Sequence, residues 1–293
     1  MPFECGIIER KSELKRRIIT ILILLVTWVV AINAVSAQSL KAISFNLRSS
    51  SFSREDGDNA WVRRAGAVKT MIKNEDPDVM GVQEALLDQL SYLDNAFKYT
   101  YRRVGIGRDN GLSRGEHMAI YYNIKRIALV WHTTRWLSPT PYNVSTGWDA
   151  TSPRTVTIAK FRVIATGKVF YYFNTHLDLI GKESRRESIL LITKLIKTLT
   201  GNVPVIFGGD FNTVASDPIL EPLDEVDLEL ARTQAPISDN KASFNTFGKA
   251  RAKTIDEFYI RKISLISFKT LDGDYGVPYI SDHYPIAIEF ELE

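Results

Sequence analysis

Cysteine is almost missing from this chain of 293 residues; the one present, Cys5, stands among the first few positions. The remainder can form no disulfide, so its own core must hold it together. An excess of one charge is also missing, with 37 Lys and Arg set against 34 Asp and Glu. Beyond residue 37 the count is 32 basic to 31 acidic. A near-neutral chain without a basic tail lacks the electrostatic footprint of a protein that grips long nucleic acid, which weighs against that class of partner. There is no internal repeat and no low-complexity stretch. Gly105, Gly107 and Gly111 are not a dinucleotide fingerprint, because no strand–turn–helix context surrounds them.

What is present begins with a leader. Lys11, Lys15, Arg16 and Arg17 precede an apolar run from Ile18 to Ala31, which is followed by Val35-Ser36-Ala37-Gln38. A basic region, an apolar region and a small-residue cleavage site make a secretory signal peptide over residues 1–37, cut after Ala37, and an exported, secreted or periplasmic protein. The alternative is an uncleaved membrane anchor, since the run approaches the ~20 residues that span a bilayer. Residues 38–293 then fit one large α/β domain, read as a monomer with no membrane span of its own after cleavage.

The domain alternates short apolar strands with helices. Leu40–Asn46, Val79–Glu84, Tyr99–Val104, His117–Tyr122, Ile127–Leu137, Thr155–Ile164, Lys168–Asn174, Val205–Asp210, Ser243–Phe247, Thr254–Ile260, Leu265–Leu271 and Ile286–Phe290 read as strands. Trp61–Asn74, Ala85–Leu93 and Glu183–Leu199 read as helices, the last with an apolar stripe of Ile189, Ile192, Leu195, Ile196 and Leu199 and a weak N-terminal cap. The most informative stretch is Val205-Ile206-Phe207-Gly208-Gly209-Asp210-Phe211-Asn212. Its glycines allow close backbone approach, and Asp210 and Asn212, two apart on an extended chain, share a face.

Other strand ends have the same character: Asn46, Glu84, His176 with Asp178, Asp256, and Asp282 with His283. Polar strand ends are commonplace singly. Their recurrence at the ends of otherwise apolar strands is not, and a carboxylate such as Asp256 inside an apolar strand needs a partner or a metal. Carboxylates and amides without cysteine suit a hard cation, Mg²⁺ or Mn²⁺, rather than zinc.

In chain order, Ile-Ser-Phe-Asn46, Gly-Val-Gln-Glu84, Asn-Thr-His176-Leu, Gly-Gly-Asp210-Phe-Asn212, Thr-Ile-Asp256-Glu-Phe and Ser281-Asp282-His283-Tyr-Pro resemble the motifs of the endonuclease/exonuclease/phosphatase superfamily, over residues 40–292. The segments around Arg108, Trp136 and Trp148 resemble an exported bacterial branch described as metal-dependent hydrolases. The resemblance implies an α/β (α+β) fold, a four-layer αββα sandwich of two mixed β-sheets face to face with helices outside. It implies Glu84 as principal metal ligand with Asn46 and Asp282 nearby, and His283 held by Asp256 against the scissile phosphate. Asp210 would position or deprotonate the attacking water, Asn212 would stabilise the transition state, and His176 would contact phosphate. Arg154 is a further candidate cation. Two positions after Asn46, where some nucleases of the family carry an acid, this chain has Arg48, which leaves a second metal in doubt.

The expected activity is Mg²⁺-dependent hydrolysis of a phosphate mono- or diester by in-line water attack, in which a cation, an imidazolium and amide donors offset developing negative charge. The loop residues Arg108, Arg114, Trp148 and Asp149 are expected to select the rest of the substrate. Near-neutral charge and export favour a small phosphorylated metabolite, sugar or lipid head group. A secreted nuclease is the alternative enzyme, and a catalytically silent binding module on the same fold the alternative of another class.

Overall fold

The computed structural model describes residues 39–293 and, of the segment before them, only Arg16 and Thr20. The leader expected over residues 1–37 therefore lies outside the described residues. Among the described residues, no helix is long and apolar enough to cross a membrane.

Twelve strands and three long helices succeed one another: β1 (Leu40–Asn46), α1 (Trp61–Glu75), β2 (Val79–Ala85), α2 (Leu87–Ala96), β3 (Tyr101–Val104), β4 (His117–Asn123), β5 (Ile127–Trp136), β6 (Thr155–Val163), β7 (Val169–His176), α3 (Lys182–Thr200), β8 (Val205–Asp210), β9 (Glu229–Leu230), β10 (Asp256–Arg261), β11 (Ile263–Thr270) and β12 (Ile286–Leu292). They form two six-stranded sheets, ordered β11-β12-β1-β2-β4-β3 and β5-β6-β7-β8-β10-β9. Both are mixed: β1 runs parallel to β2 and β7 parallel to β8, while the other pairings are antiparallel.

Strand alternation builds the layers. Leu40 and Ala42 of β1, Phe170 and Tyr172 of β7, Ile206 of β8 and Phe258 and Ile260 of β10 meet between the sheets, with Ile288 and Phe290 of β12. Residues of the opposite parity, Ile43 and Phe45, pack outward under α1 and α2 with Val68, Met71 and Leu90. Val205, Phe207 and Phe173 pack outward under α3 with Ile189, Ile192 and Ile196. Burial on both faces explains why the central strands read as unbroken apolar runs. The four-layer sandwich expected from the sequence is the fold.

The edge strand β9 (Glu229–Leu230) was not read from the sequence, and two further features differ. Ser243–Phe247 is not a strand: only Phe244 makes bridges, to Lys253 and His283, and the chain then turns into a short 3₁₀ segment at Thr246–Gly248. Left-handed backbone at Thr246 and Phe247 (φ 58° and 53°) breaks the extended run. The missing cap of α3 comes from outside the helix, because Asp149 accepts from the backbone of Ser184 at 2.7 Å and of Glu183 at 3.3 Å.

Candidate active site

The parallel pairs β1–β2 and β7–β8 both end at one edge of the sandwich. In register, His176 lies beside Asp210 and Asp210 beside Asp256. These three share the parity of Ile206 and Phe258, so their side chains enter the space between the sheets. From the facing sheet, Asn46 has the inward parity of Ala42. Its Nδ2 donates across the gap to Asp210 Oδ2 at 3.0 Å and to Glu84 Oε1 at 3.0 Å. Close backbone approach is obligatory at Gly209, where a Cβ would stand 2.0 Å from the carbonyl oxygen of Thr175.

Glu84 reaches the site by breaking alternation. Met80 and Val82 of the same parity face the outer helices. The β2–β4 register shifts between Val82 and Ala85, and Glu84 adopts φ 59°. That bulge turns its carboxylate inward, where Oε2 accepts from the backbone N–H of Ser49 at 3.0 Å. Arg48 and Asn212 are also left-handed, at φ 53° and 51°. Such strained backbone at three residues of one site is held in place by the surrounding hydrogen bonds.

A cavity of about 610 Å³ opens over these groups, and its walls include Glu84, Asp210, Asn212, His176, Asp282 and His283. His283 Nδ1 lies 2.8 Å from Asp256 Oδ2, while its Nε2 faces Asp210 Oδ2 at 3.7 Å. Burial works against a charge on His283, but Asp256 overrides it and raises the imidazole to about 10, so the ring is an imidazolium at neutral pH. Burial, reinforced by Asp256, pushes the Asp210 carboxyl up to about 7. His176 is the opposite case. Burial and then the guanidinium groups of Arg154 and Arg108 drive it well below the ordinary range, and it is neutral. Asn212 Nδ2 donates to the carbonyl of Leu177 and to His176 Nε2, each at 2.9 Å, which places the ring proton on Nδ1.

Glu84 and Asp282 fit a hard divalent cation. Both are carboxylates on the cavity wall, and burial, together with the nearby charge of Glu84, raises Asp282 despite the opposing His283. Asn46 is a different matter. The backbone N–H of Arg48 donates to its Oδ1 at 2.9 Å, so the amide turns its nitrogen rather than its oxygen toward Glu84 and Asp210. In this arrangement the amide is a donor that ties the two carboxylates together. Asp210, Asp256 and His283 also converge closely enough to hold an ion. The hydrogen bond between Asp256 and His283 consumes the imidazole Nδ1.

The expected substrate residues divide. Arg154 is on the wall, buried, with Nε donating to Asp178 Oδ2 at 3.1 Å and Nη1 without a partner among the described residues. Arg114 and Trp148 are not on the wall: Arg114 is exposed, and Trp148 sits half-buried at a left-handed turn (φ 51°). Arg108, expected alongside Arg114, is on the wall, and the Gly107–Gly115 loop folds back on itself with Asp109 N–H donating to the carbonyl of Arg114. Asp149 caps α3. Glu116, absent from the expected set, also lines the cavity. The signal for it was available only through topology: β4 is antiparallel to β2, so the residue preceding β4 belongs to the same edge as the end of β2.

Residues 43–283 match the family model described as the Endonuclease/Exonuclease/phosphatase family. An endonuclease/exonuclease/phosphatase structure from Bacteroides vulgatus is 30% identical, with a TM-score of 0.82 over 87% of this chain and 100% of that one. The mannosyl-6-phosphatase Bt3783 of Bacteroides thetaiotaomicron is 30% identical, with a TM-score of 0.81 over 86% and 100%. TDP2 of D. rerio, complexed with single-strand DNA product, shares the fold at 17% identity, TM-score 0.66, over 87% and 100%. Among protein sequences, protein L388 of Acanthamoeba polyphaga mimivirus is 26% identical over 258 residues, 79% of this chain and 92% of that one. Fold and site together define a hydrolase of phosphate esters. The chain belongs to the endonuclease/exonuclease/phosphatase family.

Proposed function

We propose that this protein is an exported, Mg²⁺- or Mn²⁺-dependent phosphoesterase that hydrolyses a small phosphorylated metabolite, with a sugar phosphate the substrate class best supported. One observation carries the reading: His283, charged through Asp256, faces Asp210 within a closed-in cavity that also holds Glu84 and Asp282. The 30% identity to a mannosyl-6-phosphatase supports a sugar phosphate, and the basic and apolar leader of residues 11–37 supports export.

Phosphate enters with its oxygens toward His283 Nε2 and Arg154. Asp210, held by Asn46 and by the backbone N–H of Asn212, accepts the proton of the attacking water. The imidazolium of His283 donates to the oxygens that gain charge as the phosphorus passes through its five-coordinate geometry. Glu84 and Asp282 would hold a divalent cation, which would supply Lewis-acid neutralisation of that charge. His176, neutral and hydrogen-bonded to Asn212, fixes the amide beside Asp210.

A panel of sugar phosphates, nucleotides, phospholipid head-group esters and bis-p-nitrophenyl phosphate, run with Mg²⁺ or Mn²⁺ and with chelator, tests the reading. Chelator-sensitive release of phosphate from sugar phosphates is the expected outcome. Preference for DNA or RNA with steep salt dependence would assign a nuclease instead, and no turnover of any ester would leave a binding module.

A further inference from the structure

One wall of the cavity holds a pair of groups for which the hydrolytic step has no use. Arg108 Nη1 donates to Glu116 Oε2 at 2.5 Å, and both side chains are largely buried, 12% and 16% exposed. The pair is rigidly mounted. The backbone N–H of Arg108 donates to the carbonyl of Glu116 at 3.0 Å, and the indole of Trp136 donates to the carbonyl of Arg108 at 2.8 Å. The loop between them needs its glycines. A Cβ at Gly107 would meet the carbonyl oxygen of Arg114 at 2.2 Å, and one at Gly115 (φ 80°) would meet the Asp109 carboxylate at 2.4 Å.

The hydrogen bonding of this pair is incomplete. Among the described residues, Glu116 Oε1 accepts nothing, and of the five guanidinium donors of Arg108 only Nη1 is used. Arg108 Nε is sealed from solvent without a hydrogen-bond partner. A carboxylate on the wall of a phosphate-binding cavity repels the anion. Arg108 offsets part of that charge through Oε2, Oε1 is left to accept from a ligand donor, and the remaining guanidinium N–H groups can donate to a lone pair. A hydroxyl is both donor and acceptor, and neighbouring hydroxyls of a sugar ring match such a pair.

We propose that Glu116 and Arg108 form a hydroxyl-reading clamp that selects the sugar part of a sugar phosphate, making them specificity-determining residues for the non-phosphate half of the substrate. This rests on the phosphoesterase reading above. A site built to hydrogen-bond a substrate hydroxyl rejects the analogue lacking it, because its own polar groups are then left unpaired. A lipid chain or a bare aryl ester gains nothing from the clamp.

The test compares kcat/KM for a hexose 6-phosphate, its series of monodeoxy analogues and p-nitrophenyl phosphate, in the metal-loaded wild type and in Glu116→Gln, with Arg108→Lys as the second variant should the first fold poorly. In the wild type at least one deoxy position is expected to cost about tenfold or more. In either variant that same penalty shrinks severalfold, and the ratio of sugar phosphate to aryl phosphate turnover falls with it. Equal rates on the hexose phosphate and all its deoxy analogues would overturn the clamp while aryl phosphate turnover left the hydrolase intact. A proportional loss on every ester, or a changed metal requirement with unchanged discrimination, would overturn it too. Absence of turnover on every ester by the wild type would remove the hydrolase reading first and the clamp with it.

Discussion

Asn46 of one sheet and Asp210 of the other are joined by a 3.0 Å hydrogen bond, Nδ2 to Oδ2, that spans the gap of the sandwich at its open edge. The bond fixes which oxygen of Asp210 is engaged by protein, with Oδ1 taken by the backbone N–H of Asn212 at 2.9 Å. Asp210→Asn is expected to keep the fold and lower kcat by ~10²–10⁴, the range for loss of a positioned base. Circular dichroism with steady-state kinetics on a nitrophenyl ester checks it. Wild-type turnover from a folded variant would dismiss the role.

Asp256 sets the charge of His283. Replacing it by Asn removes the largest of the contributions that raise the imidazole to about 10, leaving burial opposed only by Asp210 and Asp282, so its pKa falls. The imidazolium exists only below its own pKa, so lowering that pKa brings the loss of charge down toward neutral pH. The alkaline limb of the kcat profile is expected to move to lower pH in Asp256→Asn. An unmoved limb would show that the rate does not depend on this charge.

Away from the site, Glu257 is buried in β10 against Arg232, whose Nε donates to Oε1 at 3.2 Å. Burial raises its carboxyl to about 7 even against the guanidinium. Between about 4.5 and 7 the folded chain keeps a proton that the unfolded chain has released, so this group's contribution to stability is full below 4.5 and falls as pH rises through 7. Urea midpoints at pH 5 and pH 8 should converge in Glu257→Gln relative to wild type. An identical pH dependence in both proteins would contradict the assignment.

Gly209→Ala places a methyl 2.0 Å from the Thr175 carbonyl at φ 153°. The β7–β8 pair would have to part where it carries His176 and Asp210. We expect a loss of stability of more than ~1 kcal/mol and a larger fractional loss of activity than of folded protein. Chemical denaturation and specific activity measured on the same preparation separate the two.

How much of this was legible in the sequence differs residue by residue. Asp210, Asp256 and His176 stand out as polar residues closing apolar strands, but strands buried on both faces carry no alternation to say which way they point, and register decided that. Glu84 lies on the wrong parity, and only the bulge in β2 redeems it; there its motif carried the information and alternation did not. Arg114 and Arg108 could not be told apart, because their loop's course depends on backbone hydrogen bonds between Asp109, Arg114 and Glu116. Asn46 was picked out by its motif, but its hydrogen bond from the Arg48 backbone exists only once the chain has turned at φ 53°. Ser243–Phe247 has the composition of a strand, but left-handed residues stop it. Long-range register, rather than local propensity, decided each case that composition left open.

Just beneath the reactive groups, Asn174 Nδ2 donates to the carbonyls of Val82 and Ala119, Gln83 Nε2 donates to Asn174 and Ser44, and the Tyr172 hydroxyl donates to the carbonyl of Ile43. These bonds form a polar floor separating the wet end of the molecule from Phe170, Phe258 and Phe290 below. Phe170, Phe258 and Phe290 are fully buried. Amide protons at the strand tips should therefore exchange with deuterium far sooner than those one turn of the pleat further in, and a substrate that fills the cavity should slow only the former.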